Sequence, residues 1–141
     1  MLKVLLFLWQ LPQNIIGFII SRFSIYKFVY TRDVEENKKV RAYYVKNFFH
    51  SGVSLGDFII LDEEYWHIVH IQTLKHEHGH QKQSQILGWL YLIIIGIPSI
   101  LGNLWDRVFH KNWPTLDREA WYYKQPWEAW ADKLGKVNRW D

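Results

Sequence analysis

The first 24 residues form a mostly apolar stretch with a polar centre. Residues 1–24 predict a hydrophobic helix that is just long enough to span a bilayer. Polar side chains and Pro12 interrupt this helix. Unpaired polar groups are costly in lipid, and proline breaks helical hydrogen bonds. The pattern therefore favours a membrane-embedded or interfacial helix bent at Leu11-Pro12. A plain span, a cleavable signal peptide and a buried helix of a soluble fold are less consistent with it.

Apolar and polar positions alternate with a period of two between residues 25 and 62, which is typical of β-strands. Residues 25–31 and 40–45 are rich in β-branched and aromatic side chains and flank a polar turn, so they predict a hairpin. Glycines mark a break at residues 52–56, and residues 57–62 predict a third strand. The segment is expected to form a small antiparallel β meander.

A second apolar stretch, residues 86–105, contains twenty residues without a charge. A helix of this length covers about 30 Å, the thickness of a hydrocarbon core. However, Gly96 and Pro98 fall at its centre and divide it into two limbs that are each too short to cross. We therefore predict a re-entrant helical hairpin, which keeps the preceding and following residues on the same side of the membrane.

The chain after this hairpin is polar and aromatic, and its last helix is predicted over residues 126–135. Pro126 suits the first turn of a helix, and Gly135 suits its end. Glu128 and Asp132 are four residues apart and share one helix face. They are either ordinary surface acids or part of a site to which this helix contributes.

The composition narrows the possible functions. A length of 141 residues suits one domain, and 49% hydrophobic residues are enough for a core. The chain has no cysteine, which excludes disulfides, thiolate-bound metal and thiol catalysis. Its net charge of +3 is spread without a basic stripe, so nucleic acid is not an expected partner and anionic lipid attracts the chain only weakly. Any metal site must use histidine and carboxylate ligands.

A candidate metal-binding motif lies in a helix predicted over residues 73–85. His76, Glu77 and His80 form the pattern HExxH. Because residues four apart share a helix face, both imidazoles can bind one Zn²⁺, while Glu77 reaches a metal-bound water as a general base. The alternative is a merely histidine-rich segment, because His78 also lies in this stretch.

A zinc site of this type needs a third protein ligand, which we expect from the C-terminal helix. Glu128 supplies the carboxylate in this interpretation. Asp132, one turn on, accepts the outer N–H of a ligating histidine and fixes its tautomer. His67 and His70 are more typical of packed or exposed histidines than of ligands, although His70 is the nearest replacement for Glu128.

The order of HExxH, an apolar hairpin and then ExxAD resembles the glutamate-type zincins, or gluzincins. It is most similar to integral-membrane peptidases of the M48 class, related to the CAAX-processing and heat-shock membrane proteases. That resemblance implies zinc bound by His76, His80 and Glu128, with Glu77 as the base and Asp132 supporting a ligand. It also implies a peptide or protein substrate. The chain is similar, too, to small bacterial membrane proteins, which implies the bacterial inner membrane.

We therefore expect one α+β domain over residues 1–141, in which a small antiparallel β meander packs with a zincin-like HExxH helix and hydrophobic helices associate with membrane lipid. The expected function is a zinc metallopeptidase that cleaves peptide bonds near the bilayer surface. Residues 58–61 are the candidate strand for holding a substrate backbone. The oxyanion donor is open among Tyr122, Tyr123 and His78. The alternative is a non-catalytic membrane protein with a structural zinc site; the sequence favours no oligomeric state.

Overall fold

The computed structural model describes residues 1–24, 26–36, 38–46, 48, 51–67 and 70–139. Six α-helices and one four-stranded sheet occupy this part of the chain, which confirms the predicted α+β class. The predicted strand start at residue 25 and part of the predicted hairpin turn lie outside the described residues. In chain order the elements are α1 (Leu2–Trp9), α2 (Leu11–Phe23), β1 (Tyr26–Glu35), β2 (Lys38–Val45), β3 (Gly52–Leu55), β4 (Phe58–Asp62), α3 (Ile71–Leu87), α4 (Ile97–Phe109), α5 (Thr115–Tyr123) and α6 (Pro126–Gly135).

The strand order is β1-β2-β4-β3, and the sheet is mixed rather than purely antiparallel. β1 and β2 form the predicted hairpin, whereas β2 and β4 run parallel. The predicted meander is wrong because residues 52–55 form a strand instead of a break. Gly56 and Asp57 turn the chain back, so β4 pairs with β3 on one side and with β2 on the other. As a result, β4 lies inside the sheet and β3 lies at its edge.

Helices cover both faces of β4, which is the most buried strand. Ile59 and Leu61 pack in one cluster with Leu74 of α3. Because successive side chains of a strand alternate in direction, Phe58 faces the other way, where its ring contacts that of Phe18 in α2 with centroids 6.3 Å apart. The sheet is therefore held between α2 and α3.

α3 contains the HExxH motif, and its backbone packs directly on α6. A methyl group at Gly79 would collide with the carbonyl of Ala131, and one at Gly135 would collide with the carbonyl of Lys75. The missing side chains permit the close approach of the two helices. Since Lys75 meets Gly135 and Gly79 meets Ala131, the helices run antiparallel, and the first turn of α6 lies beside the second half of α3.

The N-terminal helix is bent, as predicted. α1 and α2 meet at Gln10 at an angle of 86°. The polar residues of the bend face the protein: Gln13 Nε2 donates to Ser84 Oγ at 2.9 Å and to the carbonyl of Gly88 at 2.8 Å, and Ser84 Oγ donates to Gln10 Oε1 at 2.7 Å. These hydrogen bonds to the end of α3 compensate most of their burial, whereas Gln13 Oε1 has no partner among the described residues.

The second apolar stretch is not the re-entrant hairpin that we predicted. Residues 86 and 87 end α3, and Gly88, with a positive φ of 56°, makes the turn that follows. From Leu92 to Phe109 the chain is one continuous helix, which begins as a π-helical turn and continues as α4. Pro98 follows the π-helical turn by two residues, and its missing N–H is accommodated there without ending the helix.

Candidate metal centre

The two histidines of HExxH face each other across one turn of α3. Their Nε2 atoms are 3.1 Å apart, and both side chains are buried. Glu128 reaches them from the first turn of α6. Its Oε2 lies 3.1 Å from His76 Nε2 and 3.0 Å from His80 Nε2, and the residue is completely buried. The structure thus brings together the three residues that the sequence proposed as ligands.

The outer nitrogen of each histidine has an acceptor of its own. His76 Nδ1 donates to Asp132 Oδ1 at 2.6 Å, as the sequence suggested, and Arg139 holds the same carboxylate at 2.7 Å. His80 Nδ1 donates to Gln83 Oε1 at 2.7 Å. The orientation of the Gln83 amide follows from its other contact, because its Nε2 donates to the carbonyl of Trp127 at 2.8 Å. These contacts place the ring protons on the Nδ1 atoms.

With the protons on Nδ1, each Nε2 of the neutral imidazoles presents a lone pair to the same point as Glu128 Oε2. Three acceptors that converge with no donor between them repel one another, unless a cation or an added proton lies among them. Around a tetrahedral Zn²⁺ with bonds of about 2.0–2.1 Å, ligand atoms are about 3.3 Å apart, which is within about 0.3 Å of the observed spacing. His76, His80 and Glu128 therefore form a group that could hold a metal ion.

The electrostatics of the metal-free cluster agree with this geometry. Burial alone would lower the pKa of His76, but its hydrogen bonds to Asp132 and Glu128 raise it to about 9. Burial acts on Glu128 in the opposite sense, yet the hydrogen bonds from His76 and His80 hold the pKa of this carboxylate below its usual value. The site thus favours positive charge at its centre, whether a proton or a metal ion supplies it.

Glu128 is oriented by residues that the sequence did not single out. Its second oxygen, Oε1, accepts a hydrogen bond of 2.6 Å from Ser99 Oγ in α4, and Ser99 Oγ lies 3.1 Å from the hydroxyl of Tyr122. Ser99 lies just after the π-helical turn at Leu92–Gly96, a distortion that is common near functional sites. Gln83 was also missed, although its position three residues after His80 on the same helix would have indicated it.

Glu77 lies next to the cluster with a partly unsatisfied carboxylate. It is buried, and its Oε2 has no hydrogen-bond partner among the described residues. Its Oε1 packs against the backbone of Gly52, where a Cβ would lie 2.7 Å away. Burial raises the pKa of Glu77 above its usual value. A carboxylate in these surroundings is suited to accepting a proton.

A cavity of about 800 Å³ opens over the cluster and is lined by His76, Glu77 and His80. Tyr122 and Tyr123, two of the three oxyanion donors left open by the sequence, also line it. His78 does not, because its ring lies elsewhere and its Nδ1 bonds Gln81 at 3.0 Å. His70 precedes α3 and is not part of the cluster, so no replacement ligand is needed. His67 lies outside the cluster as well.

The edge strand β3, rather than β4, lines the cavity beside α3. The proposal that residues 58–61 hold a substrate backbone is wrong, because both sides of β4 are already paired. The N–H of Asp62 donates to the carbonyl of Ser51 at 2.9 Å, and bonded pairs alternate along an antiparallel ladder. The backbone groups of Gly52 and Ser54 therefore point away from β4, and Ser54 already accepts a hydrogen bond of 2.9 Å from the hydroxyl of Tyr91.

No family model matches the chain, and neither a curated protein nor a solved structure is similar to it at a significant level. The likeness to membrane zincins therefore rests on the two motifs and remains a proposal. The geometry described above is independent of that likeness.

Proposed function

We propose that the protein is a membrane-associated, zinc-dependent peptidase. The observation that carries this proposal is the convergence of the Nε2 atoms of His76 and His80 and one carboxylate oxygen of Glu128 beside the buried Glu77, at the wall of an open cavity. Two histidines and one glutamate are a ligand set typical of catalytic zinc in peptidases, which leaves one coordination position to water or substrate.

In this proposal the chemistry is divided between the ion and the chain. Zinc held by His76, His80 and Glu128 would act as a Lewis acid and lower the pKa of a bound water toward 7. Glu77 accepts a proton from the attacking water and passes it to the leaving amine, a role that its burial supports. Tyr122 and Tyr123 both line the cavity and can donate a hydrogen bond to the developing oxyanion.

The free edge of β3 is suited to holding an extended substrate. The N–H groups of Gly52 and Ser54 point outward and can pair with a substrate, whereas the carbonyl of Ser54 accepts from Tyr91 and that of Gly52 accepts a hydrogen bond of 3.3 Å from Ser51 Oγ. Gly52 contacts Glu77, so a peptide added at this edge lies beside the proposed base.

The distribution of apolar side chains supports the membrane part of the proposal. Leu92–Phe109 is long and apolar enough to cross a bilayer, and only 6% of that segment is buried within the protein. An apolar helix in the core of a soluble protein would be mostly buried instead. The outward faces of α1 and α2 are mostly apolar too, while the uncharged polar residues Gln13, Asn14 and Ser21 are buried. We propose lipid as the partner of these faces and the bacterial inner membrane as the location.

A structural metal site is the second candidate, and one observation favours it. The cluster joins α3 to α6 and, through Ser99, joins both helices to α4. A metal ion at this point would stabilise a small chain that has no disulfide. A structural site, however, does not require a base. Glu77 is the proposed base and contacts Gly52 in β3, the strand proposed to hold the substrate, and this favours the peptidase.

The variant Glu77→Gln tests the proposal. We expect it to bind zinc as the wild type does, measured by metal analysis of the protein in lipid nanodiscs, and to lose about 10²–10⁴-fold in peptide cleavage. Glu36→Gln, at an exposed position in the hairpin turn, is the matched control and should retain both properties. If the wild type binds zinc tightly but cleaves no peptide, the peptidase proposal is contradicted and the structural role remains. A chain that binds no zinc would contradict both candidates.

A further inference from the structure

The cavity over the metal cluster changes in character along its length. One face of the helix from Leu92 to Arg107 lines it, at positions spaced three or four residues apart, over about 22 Å. Near Leu92 the wall is apolar. Toward Arg107 it becomes polar and charged. The apolar lining residues include Ile16, Leu55, Leu92, Ile97 and Ile100, and the polar ones at the other end include Asn103, Asp106, Arg107, Arg118 and Glu119.

The metal cluster lies between these two ends. Ser99, which donates to Glu128, follows Leu92 by seven residues and precedes Asp106 by seven. A substrate held over the cluster must therefore extend toward the apolar wall on one side and toward the charged wall on the other.

The apolar end opens onto the lipid-facing surface proposed above. Three apolar side chains line the cavity and are also exposed on the outside of the protein: Ile16 of α2 and Ile97 and Ile100 of α4. The wall of the cavity is therefore continuous with its outer apolar face, and an apolar segment can enter from lipid without passing through water.

The charged end has a fixed arrangement. Arg118 Nη2 donates to Asp106 Oδ2 at 2.6 Å, and its Nε donates to the same carboxylate at 3.1 Å. This pair connects α5 to α4 and lines the cavity where Arg107 and Glu119 add further charge of both signs. An apolar segment would have to desolvate these groups, whereas a hydrated polar segment would not.

We infer that the substrate is the boundary segment of a membrane protein, which is apolar on one side of the scissile bond and polar on the other. The inference rests on the proposed peptidase function. The inference goes beyond the peptidase function, because a peptidase with the same metal site could equally act on wholly polar or wholly apolar peptides.

Three peptides of equal length and identical central residues distinguish these cases: one apolar in one half and polar in the other, one polar throughout and one apolar throughout. Cleavage by the wild type in nanodiscs is measured for each. We expect kcat/KM for the mixed peptide to exceed the others about tenfold or more. A polar peptide that is cleaved equally well would overturn the inference and leave the peptidase function in place.

Binding to Glu77→Gln tests the inference without turnover. A mixed peptide with a photoreactive group in each half should crosslink to residues of both ends of the cavity. If the wild type cleaves none of the peptides while this selective binding persists, the peptidase function fails, whereas the preference of the cavity for a boundary segment holds. If all three peptides bind equally, the inference fails.

A pair of neighbouring variants tests the apolar wall itself. Ile100 lines the cavity and is 60% exposed, and Leu101 does not line it and is 58% exposed. Ile100→Asn should raise KM for the mixed peptide about tenfold while kcat and zinc content stay unchanged. Leu101→Asn should leave KM, kcat and zinc content unchanged. Equal effects of the two changes would contradict the proposed role of the wall.

Discussion

At the scale of single residues, the two histidines of the cluster have unequal supports. His76 donates to a charged carboxylate, Asp132, which Arg139 also holds, whereas His80 donates to the neutral amide of Gln83. A negative acceptor raises the basicity of the imidazole more than a neutral one does, so His76 is expected to be the stronger metal ligand. This asymmetry makes the two supports separable by mutation.

Asp132→Asn keeps the size of the side chain and removes its charge. We expect zinc affinity to fall about 10–100-fold because the carboxylate no longer polarises His76. Competition with a chromophoric chelator measures this change. Asp117→Asn, at an exposed position of α5, is the matched control and should leave the affinity unchanged. An unaltered affinity in the Asp132 variant would show that the hydrogen bond to His76 does not support metal binding.

The raised pKa of His76 predicts how the effect of metal removal depends on pH. In the metal-free protein the pKa rises from its ordinary value of 6.5 to about 9, so protonated His76 stabilises the fold fully below pH 6.5 and this contribution is lost as pH rises through 9. Metal binding requires an unprotonated His76. The affinity of the site for zinc therefore increases with pH over the same pH range, by up to about tenfold per pH unit for one displaced proton.

The two effects act in the same direction. The difference in thermal midpoint between zinc-loaded and chelator-treated protein should be larger at pH 9 than at pH 6.5. Glu128 and Asp132 do not reverse this trend, because the pKa of each is lowered and their titration lies on the acid side. A difference that decreases with rising pH would contradict a site in which metal and proton compete for His76.

At the scale of helices and strands, the site depends on the backbone contact between α3 and α6. Two glycines, Gly79 and Gly135, allow this contact, and it determines whether Glu128 reaches the histidines. The helical geometry of α3 alone positions His76 and His80. The third ligand, Glu128, is positioned by the packing of α6 on α3.

Gly79→Ala tests that dependence. The added methyl group meets the carbonyl of Ala131, so the helices must separate. We expect a loss of about 1–3 kcal/mol in the free energy of unfolding together with weaker zinc binding, measured by chemical denaturation and metal titration. Gly102→Ala in α4 is the control, because its methyl group would make only ordinary contacts of 3.8 Å or more and favours helix. Equal stabilities of the two variants would contradict the packing argument.

Local sequence signals predicted the parts of this site that local geometry determines. The spacing of HExxH placed two imidazoles on one face, and the cap residues of 126–135 placed Glu128 and Asp132 one turn apart. The hairpin between β1 and β2 followed from its alternation and polar turn. Each of these depends on residues that are close together in the chain.

Features that depend on distant pairing were not predictable in this way. The parallel pairing of β2 with β4 requires β3 to lie at the edge, which no local pattern of residues 52–55 indicates. Ser99 lies in a segment that the sequence predicts to be a break, because a proline in the interior of a helix usually ends it, whereas here the helix continues through Pro98 after a π-helical turn. The turn occurred at Gly88 instead, where Gln13 donates to the backbone carbonyl.

At the scale of the whole molecule, the described chain has a buried apolar core but also carries many large apolar side chains outside and a group of polar ones inside. Gln10, Gln13 and Ser84 are buried and hydrogen-bonded to one another or to backbone, while the outer faces of α1, α2 and α4 are apolar. In water this arrangement leaves the apolar faces of these helices exposed, which supports the proposed lipid environment. In lipid it satisfies both the apolar surface and the buried polar groups.

A triple substitution of Ile93, Leu101 and Leu104 by Asn tests this interpretation. All three side chains are exposed and none lines the cavity. Because each apolar side chain transferred from water to lipid contributes about 1.5–3 kcal/mol, partitioning into vesicles should fall tenfold or more while zinc content is retained. Val29→Asn with Tyr30→Asn, exposed positions on β1 at the opposite sheet edge, should leave partitioning unchanged. Equal partitioning of the triple variant and the wild type would mean that these helices face a protein partner rather than lipid, and substrate entry through the apolar wall would then have to occur at that interface.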